Sequence, residues 1–255
     1  MIAAELPALN LARGLSHFSS RLLSWEDREM VLGFRKSIFA LLPAQFRLLD
    51  PALDDIEHAE LQWAETYLRS PGLTLGVFCH GKLIAFASSL LPRAQGGGDP
   101  SRLLQLSDAD IERSAQMSAC MVAPEFRGMR LQSKLLNWRK DMAILSGRTL
   151  LVSMTACGNI YSLRNMLEIG MSIRWIGELK RQRWWQVLAL DMRARRQGDA
   201  KMEFSSHVCV DAENYTKQAE LVGKGFEGLV MLFRPDAAGN VRGHFEFAKR
   251  ISEAR

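Results

Sequence analysis

Residues 122–136 read VAPEFRGMRLQSKLL. A short apolar run enters the turn-forming stretch Pro124-Glu125-Phe126-Arg127-Gly128. The chain then continues as an amphipathic helix with Leu131, Leu135, Trp138, Met142 and Leu145 spaced by four, three, four and three. A helix N-terminus leaves its first N–H groups unpaired at the positive end of the macrodipole, so a loop feeding into it can bind phosphate oxygens. Arg127 and Arg130 add positive charge beside those donors. Spacing excludes two common phosphate loops. A Walker loop needs a second glycine directly before Lys-Ser/Thr, and a dinucleotide fingerprint needs three glycines, whereas only Gly128 is present.

Upstream, residues 115–123 alternate. Ala115, Met117, Ala119 and Met121 fall on one face and Gln116, Ser118, Cys120 and Val122 on a more polar one, which predicts a strand. Downstream, Gly147 is placed to cap the helix, and TLLVSMT (149–155) is apolar enough for a strand buried on both faces. The order strand, loop, helix, strand is a βαβ unit. Beyond it, Asn159 can cap a helix carrying Ile160, Leu163 and Leu167 that closes at Gly170, and two strand candidates follow at 171–179 and 184–192.

On the N-terminal side, residues 1–24 are mixed and suggest an arm or a short helix. Residues 25–42 place Met30, Phe34, Ile38 and Leu41 at helical spacing before Pro43, and a second helix is predicted over Leu53–Leu68. Two strand-like runs flank His80-Gly81 as in a β-hairpin, where His80 is most simply a turn residue. RAQGGGDPSR (93–102) predicts a mobile loop of the kind that covers sites. RARRQGDAK (193–201) reads as a linker. The remainder offers a strand near Val208, a helix over Ala212–Val222 and an apolar run FEGLVMLF, with no internal repeat evident.

The 255 residues, 47% apolar and 24% charged, fit one large domain or a domain with an extension. Lys and Arg exceed Asp and Glu by 33 to 28, a net +5 with a pI near 9.2, which favours an anionic partner. Cys79, Cys120, Cys157 and Cys209 are far apart with no C-x-x-C pair, so neither a zinc site nor a disulfide framework is indicated and no metal is expected. With no membrane-length apolar run and no signal-peptide order, a soluble cytoplasmic protein is the expectation.

Two segments together resemble the GNAT superfamily of acyl-CoA-dependent N-acyltransferases. VAPEFRGMRLQSKLL is similar to its pyrophosphate loop: Val-x-Pro, an aromatic residue, Arg-Gly-x-Gly, and a helix with Leu-Leu. GNIYSLRNMLEIGM (158–171) resembles its Asn-x-x-Ser/Ala helix ending in Gly-Phe, and the two occur in the family's order. The resemblance covers about residues 26–192. It implies an α/β fold, a twisted mixed sheet flanked by helices, divided as arm (1–24), acyltransferase domain (25–192) and a C-terminal α/β extension (193–255) that packs on or completes the sheet. It implies acetyl-CoA or another acyl-CoA as donor. Backbone groups of Met121 and Val122 would pair with the pantetheine arm like an added strand. N–H groups of Arg127, Gly128, Met129, Arg130, Leu131 and Gln132, with Ser133 beside them, would cradle the pyrophosphate, and Asn159 and Ser162 would approach from the other side. Where the pattern has glycine after Arg-Gly-x this chain has Arg130, and where it favours glycine or alanine it has Gln132. The loop is then either looser, or Arg130 itself binds a phosphate, the reading favoured because a cation beside a helix N-terminus is otherwise misplaced.

Acyl transfer to an amine needs a neutral amine, a stabilised oxyanion and a protonated leaving thiolate. The superfamily often supplies the last from a tyrosine seven residues after the capping asparagine, which here is Met166. Tyr161 is the nearest substitute, though packing explains it as well; otherwise solvent or substrate protonates the thiolate. Glu112, or Gln116 and Ser118 working through water, are the candidates for the base, with a solvated surface carboxylate the plainer reading of Glu112. The acceptor is expected to be a small-molecule or peptide amine, and a homodimer is compatible with the sequence. The rival class is a degenerate acyl-CoA-binding sensor or interaction module. The basic runs KRQR (180–183) and RARR (193–196) read as turn and linker rather than a nucleic-acid surface, since no reading motif accompanies them.

Overall fold

The computed structural model of the chain describes residues 17–41, 56–94, 96, 98–179, 183–193, 204–235 and 240–250. Phe18–Leu23 (β1) enters a 3-10 turn at Trp25–Asp27 and then Arg28–Leu41 (α1). Ile56–Leu68 (α2) precedes the hairpin Gly72–Cys79 (β2) and Lys82–Leu90 (β3). Short helices Asp99–Leu103 (α3) and Asp108–Glu112 (α4) lead into Ser114–Val122 (β4), Leu131–Leu145 (α5), Leu150–Ala156 (β5), Ile160–Glu168 (α6), Ser172–Leu179 (β6) and Arg183–Asp191 (β7). Phe204–Asp211 (β8), Tyr215–Gly223 (α7), Phe226–Pro235 (β9) and Val241–Arg250 (β10) follow. The strands form one sheet in the order β1-β2-β3-β4-β5-β7-β6-β9-β10-β8, and only β4 and β5 pair in parallel.

Residues on alternate sides of the strands build two layers. Leu151, Leu188 and Leu190 pack beneath α5, α6 and α7, while Leu150, Val152, Val187 and Ala189 face the leucines of α3 and its following loop. Phe86, Ala119 and Met121 pack against α1 and α2. The predicted βαβ unit, both helix caps and the hairpin are present. His80 and Gly81 have φ of 48° and 77°, the left-handed pair that a two-residue hairpin turn requires.

Several expectations are corrected. Residues 18–23 form an edge strand on β2 rather than a free arm, because each of the six pairs with β2. The glycine-rich segment runs into α3, whose Pro100 and Ser101 are buried. Leu41 and Leu145, placed on apolar stripes, are 63% and 53% exposed, since each sits in the last turn of its helix. On α1 the buried face is instead Val31, Arg35 and Ile38. Arg35 is tolerated there because its Nε and Nη2 bond Glu60 at 2.7 and 2.9 Å and its guanidinium lies 3.7 Å from the centre of the Trp63 ring. Residues 1–16, the stops and starts near Pro43 and Leu53, and the basic runs at 180–182 and 194–196 lie outside the described residues. Among the described residues no helix is long and apolar enough to cross a membrane.

The tail contains a repeat that sequence inspection missed. β8-α7-β9-β10 follows the same course as β5-α6-β6-β7, and the sheet order β5-β7-β6 is mirrored by β9-β10-β8 across the antiparallel β6·β9 junction at Ile173↔Gly228. Asn159 and Asn214 cap the two helices through the same bond, to Ser162 N–H at 3.3 Å and Lys217 N–H at 3.0 Å. Gly170 and Gly225, each eleven residues after its asparagine, close them with φ of 91° and 84°. The two units share a core in which Leu163 and Ile173 pack with Leu221, Phe245 and Phe247. Phe247→Ala should therefore cost the whole protein about 3–5 kcal/mol, read as a single shifted urea transition; a separate early transition would mean that the tail folds apart.

Candidate functional site

The site begins where β4 and β5 part. Their parallel pairing runs from Ser114↔Leu150 to Met117↔Ser153 and stops. β4 continues to Val122 on β3 alone, and β5 to Ala156 on β7 alone. Against β3 the register passes from Ser89↔Met117 to Ala87↔Cys120, so one extra residue of β4 is accommodated as a bulge at Ser118 and Ala119. Two side chains take up carbonyls that the ladder abandons there. Ser153 Oγ donates to Met117 O at 3.0 Å, and Arg139, buried on α5, donates from Nη1 to Ser118 O at 3.0 Å and to Ser88 O at 3.4 Å.

The bulge also breaks the predicted alternation. Ala115, Met117, Ala119 and Met121 are all buried, but the first two pack on the α5–α6 side and the last two against α1 and α2. Ala123 N–H donates to Ile84 O at 2.8 Å, so in antiparallel geometry residues 121 and 123 direct their backbone groups at β3. Cys120 and Val122 therefore turn theirs into the fork. Of the two strand residues expected to meet the pantetheine, Val122 faces the gap and Met121 faces β3.

At the mouth of the fork, Pro124–Phe126 form a 3-10 turn that uses the Arg127 N–H, which donates to Pro124 O at 3.1 Å. The open run starts one residue later. Among the described residues the backbone N–H groups of Gly128, Met129, Arg130, Leu131, Gln132 and Ser133 have no acceptor, and the first intrahelical bond at this end is Lys134 N–H to Arg130 O. Gly128 and Arg130 have left-handed φ of 81° and 56°, which curls these amides into a concave nest capping α5. Arg130 occupies a conformation natural to glycine and strained by roughly 1–2 kcal/mol for a residue that carries a Cβ.

Polar side chains join α5 to α6 across this mouth. Gln132 Oε1 accepts from Asn165 Nδ2 at 2.8 Å, Gln132 Nε2 donates to Ser162 Oγ at 3.3 Å, and Ser133 Oγ donates to Asn165 Oδ1 at 3.2 Å. Asn159 Oδ1 is committed to capping α6. Gln132 thus departs from the small residue of the resembled pattern for a structural reason, since its side chain ties the two helices together.

The catalytic candidates fare differently. Glu112 ends α4 at the far end of β4 from the nest, bordering a cavity of about 310 Å³ with Pro92, Arg148 and Gly147. Tyr161 is 77% exposed, so neither packing nor the fork claims it. Met166 lies in the core beneath the sheet. Gln116 is covered by the loop before α3: a Cβ on Gly98 would sit 3.0 Å from its Oε1, an atom left without a partner among the described residues. The structure adds Tyr67, which sequence spacing did not single out. From the last turns of α2 it reaches the bulge, where its carbonyl accepts from Thr74 Oγ1, itself bonded to Ser88 Oγ at 2.9 Å opposite the bulge, and its phenol lies beside the Ser118 side chain. Burial pushes the phenol above its ordinary value of 10, opposed by Ser118 and by the Arg35 charge. Arg139 was equally hidden, as a cation on an otherwise apolar helix face. Burial raises the Cys120 thiol, and Arg139 beside it pulls the other way.

This forked sheet with a nest of amides at its mouth has counterparts among solved structures. YncA, a proposed acetyltransferase from Salmonella typhimurium solved with its cofactor acetyl-CoA, superposes with a TM-score of 0.50 at 18% identity, covering 69% of this chain and 94% of that one. The chain has the GNAT fold. A GNAT-family acetyltransferase from Streptococcus pneumoniae (TM-score 0.50, 13% identity, 68% of this chain, 99% of that one) and an N-acetyltransferase from Staphylococcus aureus (0.51, 16%, 69%, 99%) match similarly. The GNAT neighbours are covered almost whole, so this chain holds a full copy of the fold, and about a third of the chain lies beyond it. No family model and no curated protein sequence matches.

Two outcomes follow from this geometry. Arg130→Gly should raise stability by about 1 kcal/mol or less in urea unfolding, by removing left-handed strain, while weakening any phosphate ligand of the nest. Cys157, pushed up to about 12 by burial, should resist thiol reagents at pH 8 in the native protein, whereas exposed Cys209 reacts at once; Cys209→Ser should abolish the fast phase.

Proposed function

We propose that the protein transfers an acyl group, acetyl in the first instance, from acyl-CoA to a primary amine by direct attack in a ternary complex. The observation that supports this most is the alignment of the two halves of the fork. Six open amides lie at its mouth, and the free backbone edge of Val122 and Cys120 leads inward from them to the bulge. A diphosphate matches the first, an extended chain bearing amides matches the second, and coenzyme A contains both in that order.

On this reading Arg127 and Arg130 contribute charge to the diphosphate, and the thioester arrives beside Ser118 and Ala119, where β4 and β5 rejoin. The amine enters from the α1–α2–α3 face, bounded by the Gly98 loop over Gln116. The repeat in the tail abuts the β5–α6 corner, where Tyr215 lies 5.9 Å from Trp184 between ring centres.

Calorimetric titration with acetyl-CoA and thiol release over a panel of spermidine, phenethylamine, tryptamine and peptides with free α- and ε-amines test the proposal. Binding with turnover on at least one amine is expected. Arg127→Glu together with Arg130→Glu should weaken binding at least about tenfold, since each charge-assisted bond contributes about 1.5–3 kcal/mol. Binding without turnover on any amine would instead favour a sensor.

A further inference from the structure

We propose that Tyr67 is the acid that protonates the departing thiolate, an inference that rests on the acyl-transfer reading above. Three tyrosines are present in the chain. Tyr161 stands in solvent and Tyr215 lies at the β5–α6 corner beside Trp184. Tyr67 alone of the three is at the bulge, 8% exposed, tied through Thr74 Oγ1 to Ser88 of β3 opposite the bulge, with its hydroxyl beside the side chain of Ser118. Ser118 is the first residue of β4 after the ladder to β5 ends, so an extended chain entering along Val122 and Cys120 terminates against it. The position seven residues after Asn159 holds Met166, which has no proton to give.

The surroundings suit a proton donor that stays neutral until needed. Arg35 of α1 lies over Trp63, which packs on the Tyr67 ring, and acts electrostatically on the phenol, but its charge is taken by Glu60 in a two-bond pair. Arg139 of α5 is bonded to Ser118 O, with Cys120 next to it on β4. Two cations thus stand near the place where negative charge develops, and no carboxylate except the paired Glu60 is among these groups. Tyr67 is held at backbone and ring: its carbonyl accepts from Thr74 Oγ1 at 2.9 Å, and its ring packs on Trp63 at 5.3 Å between centres.

The neutral amine nitrogen attacks the thioester carbonyl and forms the C–N bond; a proton leaves the nitrogen to water. The C–S bond breaks with its electron pair on sulfur, and sulfur takes the Tyr67 hydroxyl proton to become the free thiol. The phenolate then recovers a proton from solvent, so the net products are amide and coenzyme A. Because the acid must be protonated, kcat falls as pH rises through the raised phenol pKa.

The test compares wild type with Tyr67→Phe, using acetyl-CoA and whichever panel amine gives the fastest thiol release. Loss of a general acid predicts a fall in kcat of about 10²-fold or more, with the acetyl-CoA dissociation constant unchanged. Installing 3,5-difluorotyrosine at position 67, whose phenol is more acidic, should move the alkaline fall of kcat to lower pH, a response that a purely structural tyrosine would not give. An unchanged kcat in Tyr67→Phe, or an alkaline limb that ignores the fluorines, overturns the role of Tyr67 and leaves acyl transfer standing. Wild type that binds acetyl-CoA but turns over none of the amines overturns both.

Discussion

One buried guanidinium, that of Arg139, shapes the centre of this protein. Arg139 projects from the apolar face of α5 into the sheet, where it bonds Ser118 O and Ser88 O. Removing a cation from water is costly, and burial correspondingly lowers its proton affinity. Bonds from a charged donor to carbonyls offset that cost by about 1.5–3 kcal/mol each. Those carbonyls are exposed to it only because β4 bulges, and the bulge persists because its abandoned carbonyls have Arg139 and Ser153 as partners. From this arrangement come the parting of β4 and β5, the switch of side-chain faces at Ser118, and the gap into which Val122 and Cys120 direct their backbone groups. The same bulge brings Ser118 to the α2 side, where Tyr67 meets it.

What could be read from the sequence was what local physics determines. The strand, turn and helix around Arg127-Gly128, the asparagine cap at 159 and the left-handed glycines at 147 and 170 follow from caps, periodicity and turn chemistry within a few residues. The hidden features all depend on distant partners. Arg35 and Arg139 look like surface cations until Glu60 and the Ser118 carbonyl are in place. Alternation along 115–121 marks burial but not a single face, because a bulge leaves no mark in hydrophobicity. Tyr67 sits near the end of a weakly periodic helix 51 residues before Ser118 in the chain, so nothing local ties it to the bulge.

The tail shows the same limit. Its repeat preserves geometry rather than residues: an asparagine cap, an eleven-residue interval to a left-handed glycine, and a following hairpin. By laying β9 on β6 it covers an edge that would otherwise expose unpaired backbone groups. Its side chains also enter the core beneath α6, so the added third of the chain is continuous with the GNAT fold. Gln186 and Gln218 express that continuity directly, with Nε2 of one donating to Oε1 of the other at 3.0 Å between β7 and α7.

Backbone amide NMR during titration with desulfo-CoA tests the central claim most directly, since it reports the open donors themselves. Resonances of residues 128–133, Cys120 and Val122 should shift together and saturate with one equivalent, while Met121, bonded to β3, moves least. Saturable shifts confined to other parts of the surface, or none in residues 128–133, would contradict the account.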